Sequence, residues 1–182
     1  NAGGIFSSTS LAAGDNIELD SFGDTLIAAA SAGNDFLADA GGAFTATDVT
    51  ATNNVTVTSA GDLTLADADA GAAIQLTSTA GDVLSSGLLD AGTSLQVSAA
   101  NNIDINNANG AAFIDLFASN GSLDAGALTS DGSIFANAGT DVTIASATSG
   151  DTIFVTSGGL ANLGTFNAAG SIFVSGAAIQ LA

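Results

Sequence analysis

The side chains of this sequence that could serve as acids, bases or metal ligands are all carboxylates: 18 Asp and Glu, against no Lys, Arg, His, Cys or Tyr. Ser and Thr hydroxyls are plentiful, but a hydroxyl becomes a nucleophile only beside a base that takes its proton, and no imidazole or amine side chain exists here. Asp67 and Asp69, in Ala-Asp-Ala-Asp-Ala-Gly, are close enough to consider for glycoside cleavage, which uses two carboxyl groups. The cations and the Trp and Tyr that orient sugars are missing, so an enzyme is not expected. Calcium is the other chemistry open to these acids, because it takes hard carboxylate oxygens. Asp62 and Asp82 recur at one position of a repeat and, with Asp67 and Asp69, are the candidate ligands; no other cofactor is required. Neither the EF-hand loop nor the Gly-Gly-x-Gly-x-Asp nonapeptide is present. The competing role for every such Asp is a turn residue whose side chain accepts a backbone N–H.

The formal charge of −18 narrows the partners. Without cations there is no route to neutralising nucleic-acid phosphates or anionic lipid headgroups. No run of about eighteen apolar residues could span a bilayer as a helix. The opening Asn-Ala-Gly-Gly-Ile-Phe has no basic segment and no apolar segment behind it, so it does not read as a signal peptide. Oxidation-sensitive residues are scarce and trypsin has no site, which suits an extracellular or bacterial cell-surface location.

The elements that must carry these residues are legible from a ladder of apolar positions: Phe44, Leu63, Val83, Ile103, Leu123, Val142, then Leu160 or Leu163, and Ile179. Seven steps in 135 residues give a mean of about 19.3, a period characteristic of a solenoid. A second ladder, Leu76, Leu95, Ile114, Ile134, Ile153 and Ile172, runs about half a coil out of phase, so each coil needs two strands. Triplets such as Leu63-Thr64-Leu65 and Ile103-Asp104-Ile105 alternate as strands with one buried face do. A third position alternates in size through Ala68, Leu88, Ala108, Leu128, Ala147 and Phe166, as interleaving core residues would. Gly, Asn, Asp and Ser between the strands predict corners with positive φ. Pro is absent, as suits strands that donate N–H groups on both sides. The expected fold is all-β: a parallel β-helix, or β-solenoid, of about nine coils of 19–20 residues, with residues 1–182 a single segment of a longer array or filament.

The rhythm of Ala-Gly-Asp-Leu-Thr-Leu (60–65), Ala-Gly-Asp-Val-Leu (80–84), Ala-Asn-Asn-Ile-Asp-Ile (100–105) and Ala-Gly-Thr-Asp-Val-Thr-Ile (138–144) resembles the filamentous-haemagglutinin-like repeats of two-partner-secreted bacterial exoproteins. The resemblance runs from about residue 12 to the end. It implies a right-handed coil and a role as an adhesin stalk or filament, with host or cell-surface glycans among the partners. The chain departs from such proteins in having no basic residue.

One set of residues points to an interface. Phe135, Phe154 and Phe173 recur at steps of 19, within Ser-Ile-Phe-Ala, Thr-Ile-Phe-Val and Ser-Ile-Phe-Val. If the flanking aliphatics face the core, the rings face out and stack into an apolar patch of the kind that marks an interface; a one-residue frame shift would instead place them in the core. Phe6, in Gly-Ile-Phe-Ser, repeats the pattern. No polar or helical cap is legible, so the coil near Ile179 and Leu181 is expected to continue onto one near Ile5 of another copy or repeat, making self-association head to tail the first expected partner contact. Thr45-Ala46-Thr47, Thr50-Ala51-Thr52 and Thr56-Val57-Thr58 raise an ice- or carbohydrate-binding solenoid as the alternative, though the Thr row breaks after one coil.

Overall fold

The computed structural model describes residues 4–181; residues 1–3, which belong to the N-terminal stretch considered above for a leader, and residue 182 lie outside the described residues. Nineteen strands and no helix make up the described residues. Ten are mostly long: β1 Phe6–Ala13, β3 Thr25–Ala32, β5 Phe44–Ala51, β7 Leu63–Ala70, β9 Val83–Ala91, β11 Ile103–Gly110, β13 Leu123–Ser130, β15 Val142–Ser149, β17 Leu160–Ala168 and the short closing β19 Ala178–Leu181. They alternate with nine shorter ones: β2 Ile17–Ser21, β4 Phe36–Ala40, β6 Val55–Ser59, β8 Ile74–Ser78, β10 Ser94–Ala99, β12 Phe113–Ala118, β14 Ser133–Ala138, β16 Ile153–Ser157 and β18 Ile172–Ser175. Odd-numbered strands form one parallel sheet of ten and even-numbered strands another of nine, each strand bonded to the equivalent one a coil above or below. The result is a parallel β-solenoid of about nine coils.

The long strands are not straight. In β7 the burial order is in, out, in, then two successive residues not buried (Ala66 and Asp67), then in, out, in. Two outward residues in a row require a bend, so each full coil has three sides and seven inward positions; Leu63, Leu65, Ala68, Ala70, Ile74, Leu76 and Ser78 fill one of them. Leu63, Val83, Ile103, Leu123 and Val142 stack in one interior column, as their spacing predicts, each at most 1 % exposed. The column continues through Ala161, and neither Leu160 nor Leu163 occupies it; Leu163 stacks on Ile144.

Two other expected ladders shift by one or two residues for a common reason. The second column contains Ile74, not Leu76, below Leu95, and the third contains Leu89, not Leu88, above Ala68. Between Ile74 and Leu95 the chain carries one extra residue at the Thr79–Asp82 corner and one in β9, where the register slips past a bulge. The bulge turns Leu88 outward and Leu89 inward. Size alternation in the corrected column is complete: Leu11, Ala30, Val49, Ala68, Leu89, Ala108, Leu128, Ala147, Phe166.

The corners also differ from expectation, because no described residue, Gly included, has a positive φ. Gly is needed at several of them for room. A Cβ on Gly132 would lie 1.8 Å from the carbonyl oxygen of Ala112 in the coil below. Backbone bonding continues round the corners, as in Gly61 N to Gly42 O at 2.9 Å. Buried hydroxyls complete it: Ser78 Oγ donates to Gly61 O at 2.7 Å and Ser149 Oγ to Gly132 O at 2.6 Å. Among the described residues no buried side-chain polar atom lacks a partner.

Candidate interaction surface

The acids singled out from the sequence lie outside the core, and most act as corner fasteners. Asp62 Oδ1 accepts the Asp82 N–H of the next coil at 3.0 Å, Asp82 Oδ1 accepts Asn102 N–H at 2.8 Å, and Asn102 Oδ1 accepts Ser122 N–H at 2.9 Å. Asn16, Asp35 and Asn54 build a similar ladder at another corner, each Oδ1 taking an N–H from the coil above. Asp67 Oδ1 accepts Leu88 N–H at 2.8 Å and so fastens the β9 bulge. Asp69 points outward on β7 opposite Asp90. Among the described residues no three acids converge as a metal ion would require.

The short-strand sheet presents a different surface. Its even alternation fixes one outward row along the rod: Glu18, Leu37, Thr56, Gln75, Gln96, Asp115, Phe135, Phe154, Phe173. The three Phe rings face out, with 39 %, 38 % and 54 % of their surface exposed. Phe135 and Phe154 stack at 5.2 Å and 3° between planes, Phe154 and Phe173 at 5.0 Å and 12°. In-register parallel strands repeat at about 4.8 Å, which brings identical rings into this offset stack. Because the rings cover one another's faces, they offer mostly edges to solvent, leaving little flat aromatic platform for a sugar ring.

Phe117, 44 % exposed, widens the patch from the neighbouring outward row, and with Asp115 it lines a shallow groove beside Phe135 and Phe154. Neither residue was singled out above, although alternation in Phe113-Ile114-Asp115-Leu116-Phe117 carries the signal. Phe6 does not belong to the row; it sits half-buried on the other sheet, in register with Thr25. Comparison with protein-family models, curated proteins and solved structures finds no match.

The outward rows bear on the other readings. Thr-x-Thr occurs once on this face, at Thr56 and Thr58, between Leu37 and Asp39 on one side and Gln75 and Thr77 on the other. At the C-terminal end, Ile172, Ile179 and Leu181 continue core columns yet are 45 %, 50 % and 73 % exposed, and Ile5 at the other end is 73 % exposed. No helix of the described residues is long and apolar enough to cross a membrane.

Proposed function

We propose that this chain is a structural rod of an extracellular bacterial adhesin or surface filament, with no catalytic role, that associates with further copies or repeats through its own surfaces. The observation that carries this reading is the continuous parallel stack, in register except at the β9 bulge, combined with an exposed Phe stack along one side. A stack of two continuous parallel sheets transmits load along its axis, and its stability accumulates coil by coil. A contact that stacks a coil of one copy onto a coil of another in the same sense is heterologous and open-ended. The resemblance to filamentous-haemagglutinin-like repeats supports the same role. Lateral contact would use the Phe135, Phe154 and Phe173 row.

Charge sets the conditions. Two rods of this composition repel, and the repulsion is screened beyond about 8 Å at physiological salt. Sedimentation in rising NaCl should therefore show increasing lateral association, and Phe135→Ser, Phe154→Ser and Phe173→Ser together should abolish it while the strand content by circular dichroism is retained. Matching NaCl and CaCl2 at equal ionic strength separates screening from specific calcium bridging at acids such as Asp62 and Asp82. Association indifferent to salt, calcium and the triple substitution would refute the lateral reading.

A further inference from the structure

The nine-stranded sheet divides into two electrostatic zones. Its first two strands carry Glu18, Asp20 and Asp39. From β6 to β18, seven consecutive strands, the sequence places one ionisable side chain, Asp115. On a chain of charge −18 with no cation, such a stretch is where two copies can approach with least like-charge repulsion. Asp115 stands at its middle strand, β12, with three strands of the stretch on either side. Its register neighbours are Gln96 on β10 and Phe135 on β14. On its own strand Phe113 and Phe117 flank it two residues away.

We propose that this face, β6 to β18, is a self-recognition surface seating a second copy of the chain antiparallel, and that Asp115 gates the contact, which forms when its carboxyl is neutral and loosens when it is charged. The proposal rests on the lateral-association reading above and adds the partner's orientation and its control. A two-fold axis along β12 lays the seven strands of one copy over those of the other in reverse order. It lays each Phe row over the uncharged Thr and Gln rows of the opposite copy. It also sets the two Asp115 carboxyls face to face, where both cannot stay ionised without cost.

The area makes one acid decisive. Seven strands about 4.8 Å apart and some five residues wide cover on the order of 500 Å² per copy, below the roughly 800 Å² of a standard stable interface. The contact is weak, and a desolvated charge at its centre can tip it. Burial already raises the Asp115 carboxyl above its ordinary range. The strands beside it, β10 and β14, carry no titratable side chain. Of the strands packed behind β12, β11 bears Asp104 and β13 bears Asp124, both on the outer face of the opposite sheet. In the turns bordering the stretch lie Asp62, Asp82, Asp131, Asp141 and Asp151, the last accepting the Ser133 hydroxyl at 2.9 Å.

The direction follows from the further desolvation of the carboxyl that the contact imposes. A carboxyl harder to ionise when buried favours the associated state below its pKa and opposes it above, so association strengthens as pH falls through the titration of Asp115. Lowering pH also discharges the other acids, so the decisive comparison is made at neutral pH with Asp115→Asn. Equilibrium sedimentation of the full chain at fixed salt should give a dimer dissociation constant at least about tenfold lower for Asp115→Asn than for the parent, the equivalent of one pKa unit. Thr156→Asp, which puts a charge on the same exposed face beside the Phe groove, should weaken the side-by-side contact to the parent's level or below and leave end-to-end association unchanged. If Asp115→Asn binds no better than the parent while the triple Phe variant fails to associate, the lateral face stands and the gate is wrong. If Thr156→Asp and the triple Phe variant both leave the side-by-side contact undiminished, the lateral reading falls and the proposal with it.

Discussion

Exchanging Ile103 and Asp104, as the double variant Ile103→Asp and Asp104→Ile, is expected to destroy the cooperative fold although composition and net charge are unchanged. Ile103 is 1 % exposed in the central column, between Val83 and Leu123, whereas Asp104 points to solvent between Leu84 and Asp124. The exchange removes a buried aliphatic side chain, a loss of about 2–5 kcal/mol. It also buries a carboxylate without a partner, a further roughly 3–5 kcal/mol when no opposite charge is at hand. None can be at hand, since the chain contains no Lys, Arg or His. In a solenoid each coil supports only its neighbours, so the lesion should divide the stack into two shorter arrays. Urea unfolding by circular dichroism, with chymotrypsin as the probe because trypsin has no site, should show a broadened, early transition and new cleavage near β11. A variant as stable as the parent would mean that this column is not interior.

Phe44→Ala is expected to cost about 3–5 kcal/mol, the usual range for deleting a buried aromatic ring. Phe44 is fully buried, meets Phe36 edge-on at 6.4 Å between centroids, and sits in register with Thr25 below and Leu63 above. Its inward neighbour on β5 is the small Ala46, so the ring fills space that Ala46 leaves. Backbone spacing along the axis is held by the cross-coil ladder, which keeps neighbouring coils from collapsing into the hole. Phe44→Leu should recover more than half of the loss. Equal losses for Ala and Leu would point to ring contacts, not volume, as the source of stability.

Much of the fold was legible because one physical rule repeats: apolar side chains face the interior at the same places in every coil, and the parallel ladder keeps equivalent residues in line. Leu63 to Val142 obey it without interruption. The reading slipped where the chain departs from a fixed count. Two single-residue insertions lie between Ile74 and Leu95, so even steps of 19 or 20 point to Leu76 and Leu88 in place of Ile74 and Leu89. At Ala161 the column uses a residue too small to stand out from its neighbours Leu160 and Leu163. Corner chemistry was misread because composition alone does not separate Gly chosen for φ from Gly chosen for clearance; Gly132 beneath a neighbouring carbonyl is the second kind. At the candidate surface the Phe row was visible as a period, but its outward direction depended on the strand frame, which Ile134 and Ala136 fix by being buried. Asp115 and Phe117 escaped notice because neither repeats, and a non-repeating residue is silent in a search for periods.

Electron microscopy of the purified chain at neutral pH and physiological salt tests the self-associating rod most directly. One copy stacks about nine coils at about 4.8 Å, close to 45 Å in length. The account predicts straight particles longer than this, growing in number and length with concentration. Particles of single-copy length at every concentration and salt would contradict it.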